Sequence, residues 1–227
     1  MAPDATGSSH AKVGDARPNR RAGRLVRGGG RFIANLPRAA ALVARVVRSP
    51  LAHGHLRGVD CADARKVPGV AAVLTAEDLA DVCRPWRALH ALFPDARVPA
   101  EGPLATTRVR YVGEPLAIVL AETEASAADG AEAVAIHIDP LPHVLDPDAA
   151  AADTAPLLHE EAPGNLHATL GRKVGEVPAG AHAIPLTLHL TRIAIQSMET
   201  RGLLADWDGA EGTLTVHQSH QHPHQMQ

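Results

Sequence analysis

The sequence predicts an α+β fold. Three observations predict it. Short runs rich in Val, Ile and Leu recur along the chain, several of them five to seven residues long, which is strand length. Helical patterns lie between some of them. Proline and glycine close most runs, as at Pro68-Gly69, Gly113-Glu114-Pro115 and Pro140.

Each element follows from its residues. Leu42 to Arg48 is β-branched-rich and reads as a strand, and His55 to Asp60 as a second. Asp60 can cap a short helix over Cys61 to Val67, because its carboxylate can accept from the first free N–H groups. Pro68-Gly69 forces a turn into Val70 to Leu74, a short buried strand. Thr75-x-x-Asp78 is a capping-box signature for a helix beginning at Ala76. Arg84 to Thr107 carries several prolines and little periodicity, so a long loop is expected. Val109 to Glu122 resumes strand character, broken at Gly113-Glu114-Pro115. Leu116, Ile118 and Leu120 alternate with Ala117 and Val119, which predicts a strand buried on both faces. Ala125 to Val134 is alanine-rich and helical. Ala135 to Asp139 is the next strand.

The character changes further on. Asp146 to Ala155 is alanine- and aspartate-rich and reads as a linker. Ile184, Leu186, Leu188 and Leu190 alternate with Pro185, Thr187, His189 and Thr191, the pattern of a half-buried strand. Leu203 to Trp207 and Leu214 to Val216 read as further strands around an Asp208-Gly209 turn. A β-rich segment is therefore expected from about residue 160.

Composition narrows the function. Of 227 residues, 45% are hydrophobic and 21% charged, which suits a globular protein. Only 2% are aromatic, so the core must be aliphatic and no stacking platform for bases is offered. The formal net charge of −3 gives no basic patch, so no nucleic-acid partner is expected. Cys61 and Cys83 are too few and too far apart for a zinc or iron–sulfur site and read as ordinary thiols. Residues 1–23 read as a disordered arm. Arg20-Arg21 lacks the following apolar stretch of an export signal, and Ala39 to Val47 is far too short to span a bilayer. The expected location is cytoplasmic, with no membrane contact. Gly28-Gly29-Gly30 lacks both the Lys-Ser/Thr of a phosphate loop and the later glycine of a dinucleotide fingerprint.

Several side chains are candidate site residues. His217, His220, His222 and His224 end the chain, the last three spaced to share one side of an extended strand. A physiological metal site there would usually bring a carboxylate to orient the imidazoles, and none is near in sequence, so no metal site is assigned. His53 and His55 read as structural or exposed strand residues. Glu199 and Asp206 are the carboxylates best placed for acid–base work, but Glu199 reads better as a partner for backbone N–H groups. Ser49 and Ser197 lack triad context. Asp60 beside Cys61 would raise the thiol pKa, which argues against a nucleophile. No catalytic residue is assigned.

The order of these segments resembles the start of a known family. Val26 to Leu36, Val46 to Ala52, Val59-Asp60, Pro68 to Leu79, Val109 to Ala121 and Ala127 to Val144 resemble, in order, the opening of a large subunit. That subunit is the molybdopterin-binding one of the xanthine dehydrogenase, aldehyde oxidase and aerobic carbon monoxide dehydrogenase family. Asn165, Gly175-Glu176, Ser197 to Gly202 and Leu214 to His224 continue the resemblance. It implies an a/b hammerhead domain over 24–146, a linker over 147–159, and the incomplete, β-rich start of a molybdopterin-binding domain over 160–227.

The resemblance also implies chemistry. The family hydroxylates aldehydes, heteroaromatic rings and similar small substrates, with water as the oxygen source. By the same alignment Gln221 is the glutamine that sits beside the molybdenum centre; a neutral amide can donate to a metal-bound oxygen without adding charge. Iron–sulfur clusters and FAD are expected on partner subunits. The family's later cofactor loops and its catalytic glutamate have no counterpart in this sequence, so the isolated chain is expected to be inactive. Pro178 and Gly180 make the helix that the family places after the Gly175-Glu176 match unlikely here. The alternative reading is a free-standing hammerhead module for binding or assembly, without catalysis. Unpaired strands after residue 160 are expected to be frayed or sticky.

Overall fold

The structure, a computed structural model, describes residues 19–37, 39–87, 95–182, 184–221 and 224. They fall into two compact units. One is continuous over Ala39–Ala183; the other joins the residues before Ala39 to those from Ile184 onward. The expected disordered arm lies mostly outside the described residues.

The continuous unit carries most of the order. After the short helix α1 (Ala22–Leu25) of the other unit come β1 (Val43–Arg48), β2 (Gly54–Asp60) and β3 (Val70–Thr75). Next are β4 (Arg108–Val109), β5 (Pro115–Ala121), helix α2 (Glu124–Glu132), β6 (Ala135–Pro140) and helix α3 (Pro147–Ala150). They form two antiparallel three-stranded sheets, ordered β1-β5-β3 and β4-β2-β6. Register slips at Val47/Arg48, Leu56/Gly58 and Val70/Ala72 bend the strands.

The core lies between the sheets and α2. Val47, Val73, Ala117, Val119 and Val134 meet there with Cys61 and Ala64, and Val59 and Ile136 pack in from the second sheet. Burial pushes the Cys61 thiol pKa up, opposed by Arg65 and aided by Asp60. β5 is the central strand. Its Ala117, Val119 and Ala121 are fully buried, as is Leu116 on the opposite face. Ile118 and Leu120 on that opposite face are only half-buried, so the expectation of burial on both faces holds for one side and for Leu116. The asymmetry has a cause. α2 covers only the Val119 face, and Gly130 lets it approach: a Cβ there would sit 2.8 Å from Val70 and 2.9 Å from Val119 side-chain carbons.

Local signals act as their chemistry dictates. The Thr123 hydroxyl accepts from the Ser126 N–H at 3.0 Å and starts α2. Gly69 adopts φ +84, which the turn after Pro68 needs. His53 is buried, and its Nδ1–H donates to the Pro142 carbonyl at 2.6 Å.

Two expected helices shrink. Over Cys61 to Val67 there is a turn and one 3₁₀ turn, Ala64–Lys66. Asp60 does accept from Ala62 N–H at 2.9 Å. After Thr75 there are successive turns rather than a helix. The Asp78 carboxylate still reaches back to the Thr75 N–H at 2.7 Å and hydroxyl at 2.8 Å. Half of a capping box has formed over a segment with little to bury, since most of its residues are exposed.

The larger correction concerns Ile184 to Leu190, which forms no strand. Among the described residues the only strands after β6 are β7 (Leu203–Asp208) and β8 (Thr213–Gln218), one antiparallel hairpin. The alternation is real, but a strand forms only where a neighbour accepts its hydrogen bonds.

Gly130→Val should destabilise the continuous unit by about 1 to 3 kcal/mol through overpacking against Val70 and Val119. Gly58→Ala, where a Cβ meets nothing within 4 Å, should be neutral or slightly stabilising. Urea melts of both variants check this pair, and equal losses would contradict the packing described.

Candidate functional site

Gln221 and a groove around Glu199 belong to the discontinuous unit. The loop Ser197 to Gly202 is held by one internal bond and from two sides. The Ser197 hydroxyl donates to the Glu199 carbonyl at 2.8 Å. The Glu199 carboxylate accepts the Ile33 N–H at 3.2 Å, across 166 residues of chain. Ser219, just past β8, donates its N–H to the Gly202 carbonyl at 3.3 Å and its hydroxyl to Thr200 at 3.4 Å. Gly202 is favoured by contact rather than by torsion, since a Cβ would lie 3.0 Å from Ile33. Glu199 thus does the structural work expected of it.

Arg31, Phe32, Ile33 and Leu36 on one side and Val216 to Ser219 on the other leave an open groove of about 420 Å³ around Glu199. Gln221 follows two residues later and is exposed. His217 sits on β8, while His220 and His224 lie beyond it and outside any strand. His222 lies outside the described residues. Among the described residues, no three His, Cys, Asp or Glu side chains gather as a metal-ion set. Asp206 is exposed on β7.

These residues do not by themselves make a cradle for a large, anionic metal cofactor. Such a group needs several donors turned inward and shielded from water. The groove supplies one guanidinium, Arg31, and Gln221 supplies one amide, both exposed.

A second polar groove lies within the continuous unit and was not foreseen. His55, Arg108, Arg110, His159, Glu160 and Glu161 line it. β2 places His55 directly opposite Arg108 of β4. The Arg110 guanidinium donates to the Leu158 carbonyl at 3.0 Å, and its backbone N–H to the Glu114 carboxylate. Burial holds the Glu114 carboxyl above the usual range, with the Arg110 N–H opposing. Burial, with the Arg110 charge, holds the His159 imidazole below its usual value of 6.5. Glu161 is bound by Arg87 at 2.8 Å and by the Ala100 N–H at 3.2 Å, so its charge is already matched.

Asn165 fixes the backbone beside this groove. Its amide donates to Ala150 and Pro156 carbonyls at 3.0 and 3.1 Å, and its oxygen accepts the Leu158 N–H at 3.0 Å. It does so from the left-handed region, φ 53. Asp146 caps α3 through the Ala149 N–H at 2.8 Å. The stretch that reads as a linker in sequence therefore holds a capped helix tied to Asn165.

Comparison with known proteins now identifies the chain's kin. Residues 27–142 match the family described as aldehyde oxidase and xanthine dehydrogenase, a/b hammerhead domain. The chain belongs to that family. Residues 158–227 match the molybdopterin cofactor-binding domain. Among curated relatives, the nicotine 6-hydroxylase large subunit of Paenarthrobacter nicotinovorans is 33% identical over 93% of this chain and 26% of its own. The xanthine dehydrogenase molybdenum-binding subunit of Escherichia coli O157:H7 is 34% identical over 88% of this chain and 27% of its own. Among solved structures, the Cu,Mo-CO dehydrogenase superposes with TM-score 0.57 at 29% identity, covering 70% of this chain and 19% of that one. Quinoline 2-oxidoreductase from Pseudomonas putida 86 gives 0.54 at 34% identity, over 58% and 16%. The chain spans about a quarter of the length of the curated relatives it matches. The hammerhead match takes in both three-stranded sheets and α2. No helix of the described residues is long and apolar enough to cross a membrane.

Asn165→Ala should cost about 1 to 3 kcal/mol by stranding Leu158 N–H and two carbonyls. Asn165→Gly should cost nearly as much, although glycine relieves the positive φ. A large rescue by glycine would assign the role to the torsion instead.

The His159 shift has a defined sign. Its folded pKa lies below 6.5, so the unfolded chain binds the proton more readily. The stability it contributes is complete above pH 6.5 and is lost as pH falls from there through the depressed value. His159→Gln should therefore flatten that part of the stability–pH curve, and an unchanged slope in urea melts between pH 7.5 and 5 would refute it.

Proposed function

We propose that this chain is the N-terminal quarter of a molybdenum hydroxylase large subunit and is inactive in isolation. The observation that carries the reading is the order of the two matched domains, hammerhead then molybdopterin-binding, on relatives four times as long. The complete subunit would oxidatively hydroxylate an aldehyde, a heteroaromatic ring or a similar small molecule, taking the oxygen from water. The molybdenum cofactor supplies that redox chemistry when bound. The relatives' names cover nicotine, carbon monoxide and xanthine, which share a small substrate and not a substrate type.

In this reading the chain's own residues hold and orient. Glu199 fixes the Ser197 to Gly202 loop against Ile33, and Ser219 fixes β8 against the same loop. That rigid pair sets where Gln221 leaves the hairpin. Gln221 would then present its amide to a cofactor oxygen as a neutral donor. An iron–sulfur subunit and an FAD subunit would carry the electrons away, in the cytoplasm. No general base for the reaction is assigned to the chain.

The closed core of the hammerhead favours one other reading, a stand-alone assembly module without chemistry. Metal content separates the two when the chain is made both alone and with the rest of a large subunit, in a host that synthesises molybdopterin. The expected result is below roughly a tenth of an equivalent of molybdenum alone and near one equivalent in the reconstituted subunit, reduced by Gln221→Ala. No molybdenum in either preparation would leave the assembly module as the better account.

A further inference from the structure

The polar groove of the continuous unit holds more positioned donors than the chain itself uses. β4 sets them out. Val109 is fully buried, so Arg108 and Arg110 on either side of it project toward the opposite face. Register places Arg108 beside His55 of β2, and His55 beside Asp139 of β6. The Asp139 carboxylate in that row is taken by Arg57. Arg108 is half-buried, and among the described residues its guanidinium has no hydrogen-bond or ion-pair partner. A partly desolvated charge without a partner is costly, and a ligand that matches it recovers that cost. Arg110 is already oriented. Its Nε donates to the Leu158 carbonyl at 3.0 Å and its Nη1 to the Arg108 carbonyl at 3.5 Å, while its Nη2 bonds to none of the described residues. Two carboxylates line the same groove. Glu161 is matched by Arg87 and the Ala100 N–H, and Glu160 is exposed, where water screens it.

We propose that this groove binds a phosphate group, free or carried on a small molecule, with Arg108 and Arg110 as its charged partners and His55 and His159 as neutral donors. Guanidinium forks match the edges of a phosphate and pair with it through two parallel bonds. A neutral imidazole adds one N–H donor without adding charge. Four donor groups on one groove suit an anion with three free oxygens better than a carboxylate with two. The groove measures about 510 Å³, the size of a small-molecule cleft, so it has room for more than the phosphate itself. No aromatic ring lines it, so recognition rests on the anion and not on stacking. After burial, the Arg110 charge is what most lowers the His159 pKa, with Arg108 adding to it and Glu101 and Glu161 opposing. The groove also joins two stretches of chain. His55, Arg108 and Arg110 fall in the hammerhead match, and Leu158 to Glu161 open the second match. A bound phosphate would tie β4 to that second stretch, beside the bond Arg110 already makes to Leu158. The inference does not need the hydroxylase chemistry.

The test titrates the full 227-residue chain with inorganic phosphate, glycerol phosphate and acetate, followed by calorimetry and by amide NMR shifts. Sodium chloride holds the ionic strength constant, so that screening does not change between points. The expected result is saturable binding at one site in the millimolar range, with the shifted amides clustered at His55, Arg108 to Arg110 and Leu158 to Glu161. Arg108→Gln should weaken it at least about tenfold, the loss of a charged hydrogen-bonding partner. The same variant should melt like the parent in chloride, because the Arg108 guanidinium holds nothing in the chain. Arg108→Lys keeps the charge without the fork and should fall between the two. Arg57→Gln, on the arginine already paired with Asp139, should bind like the parent. Tighter binding of glycerol phosphate than of phosphate assigns the site to a phosphorylated small molecule, and equal binding assigns it to free phosphate. Absence of saturable binding overturns the proposal, as does binding indifferent to Arg108→Gln or shifts scattered away from the groove. Acetate binding as tightly as phosphate would overturn the assignment to phosphate. Molybdenum content enters none of these readouts, so the hydroxylase reading stands or falls separately.

Discussion

The close seating of α2 on β5 is the contact on which the hammerhead depends. β5 is the strand both of its neighbours need, since β1 and β3 pair with it and not with each other. With few aromatic residues, the core has no large ring to span a gap. Density must come from proximity, which Gly130, Ala127 and the alanines of β5 allow. A core of Val and Ala forfeits much when its layers separate by even part of an ångström, because each side chain makes few contacts to begin with. That constraint explains why the helix is short, alanine-rich and capped at a fixed threonine.

In both units polar side chains satisfy backbone groups. Glu161, Asp146, Asn165 and Glu199 each satisfy backbone N–H groups, and Arg110 and Asn165 each satisfy backbone carbonyls. Loops without regular structure need such partners, since their backbones have no ladder to bond to. The exposed amide of Gln221 is the exception, because no described contact holds it in a fixed place.

Much of the hammerhead was legible in the sequence. β1, β2, β3, β5, α2 and β6 stand within a residue or two of where β-branched runs, an alanine-rich stretch and Pro or Gly stops place them. These signals are local, so one sequence carries them. The failures are contacts with distant causes. The Thr75–Asp78 pair is a true cap, yet whether a helix follows depends on what its apolar side can bury. Ile184 to Leu190 has perfect alternation and no strand partner among the described residues. Asn165's grip on Leu158, the Arg110 groove and the meeting of Ile33 with Glu199 join residues whose spacing follows no period. Gln221 was named through a resemblance, and no periodicity or spacing points to it.

The hydrogen bond between Ile33 and Glu199 joins the two ends of the discontinuous unit, which is the outer one in sequence because the whole of Ala39–Ala183 lies between them. On the ribosome the two halves of that outer unit emerge far apart in time. At typical elongation rates, 166 residues take about 10 to 30 s to synthesise. A small α+β domain folds well within that interval. The inner unit is therefore complete while Phe32 and Ile33 still wait for their partners, and apolar side chains that wait are the ones chaperones meet first. Birth order, and not only stability, would then decide how much of this protein reaches its final form.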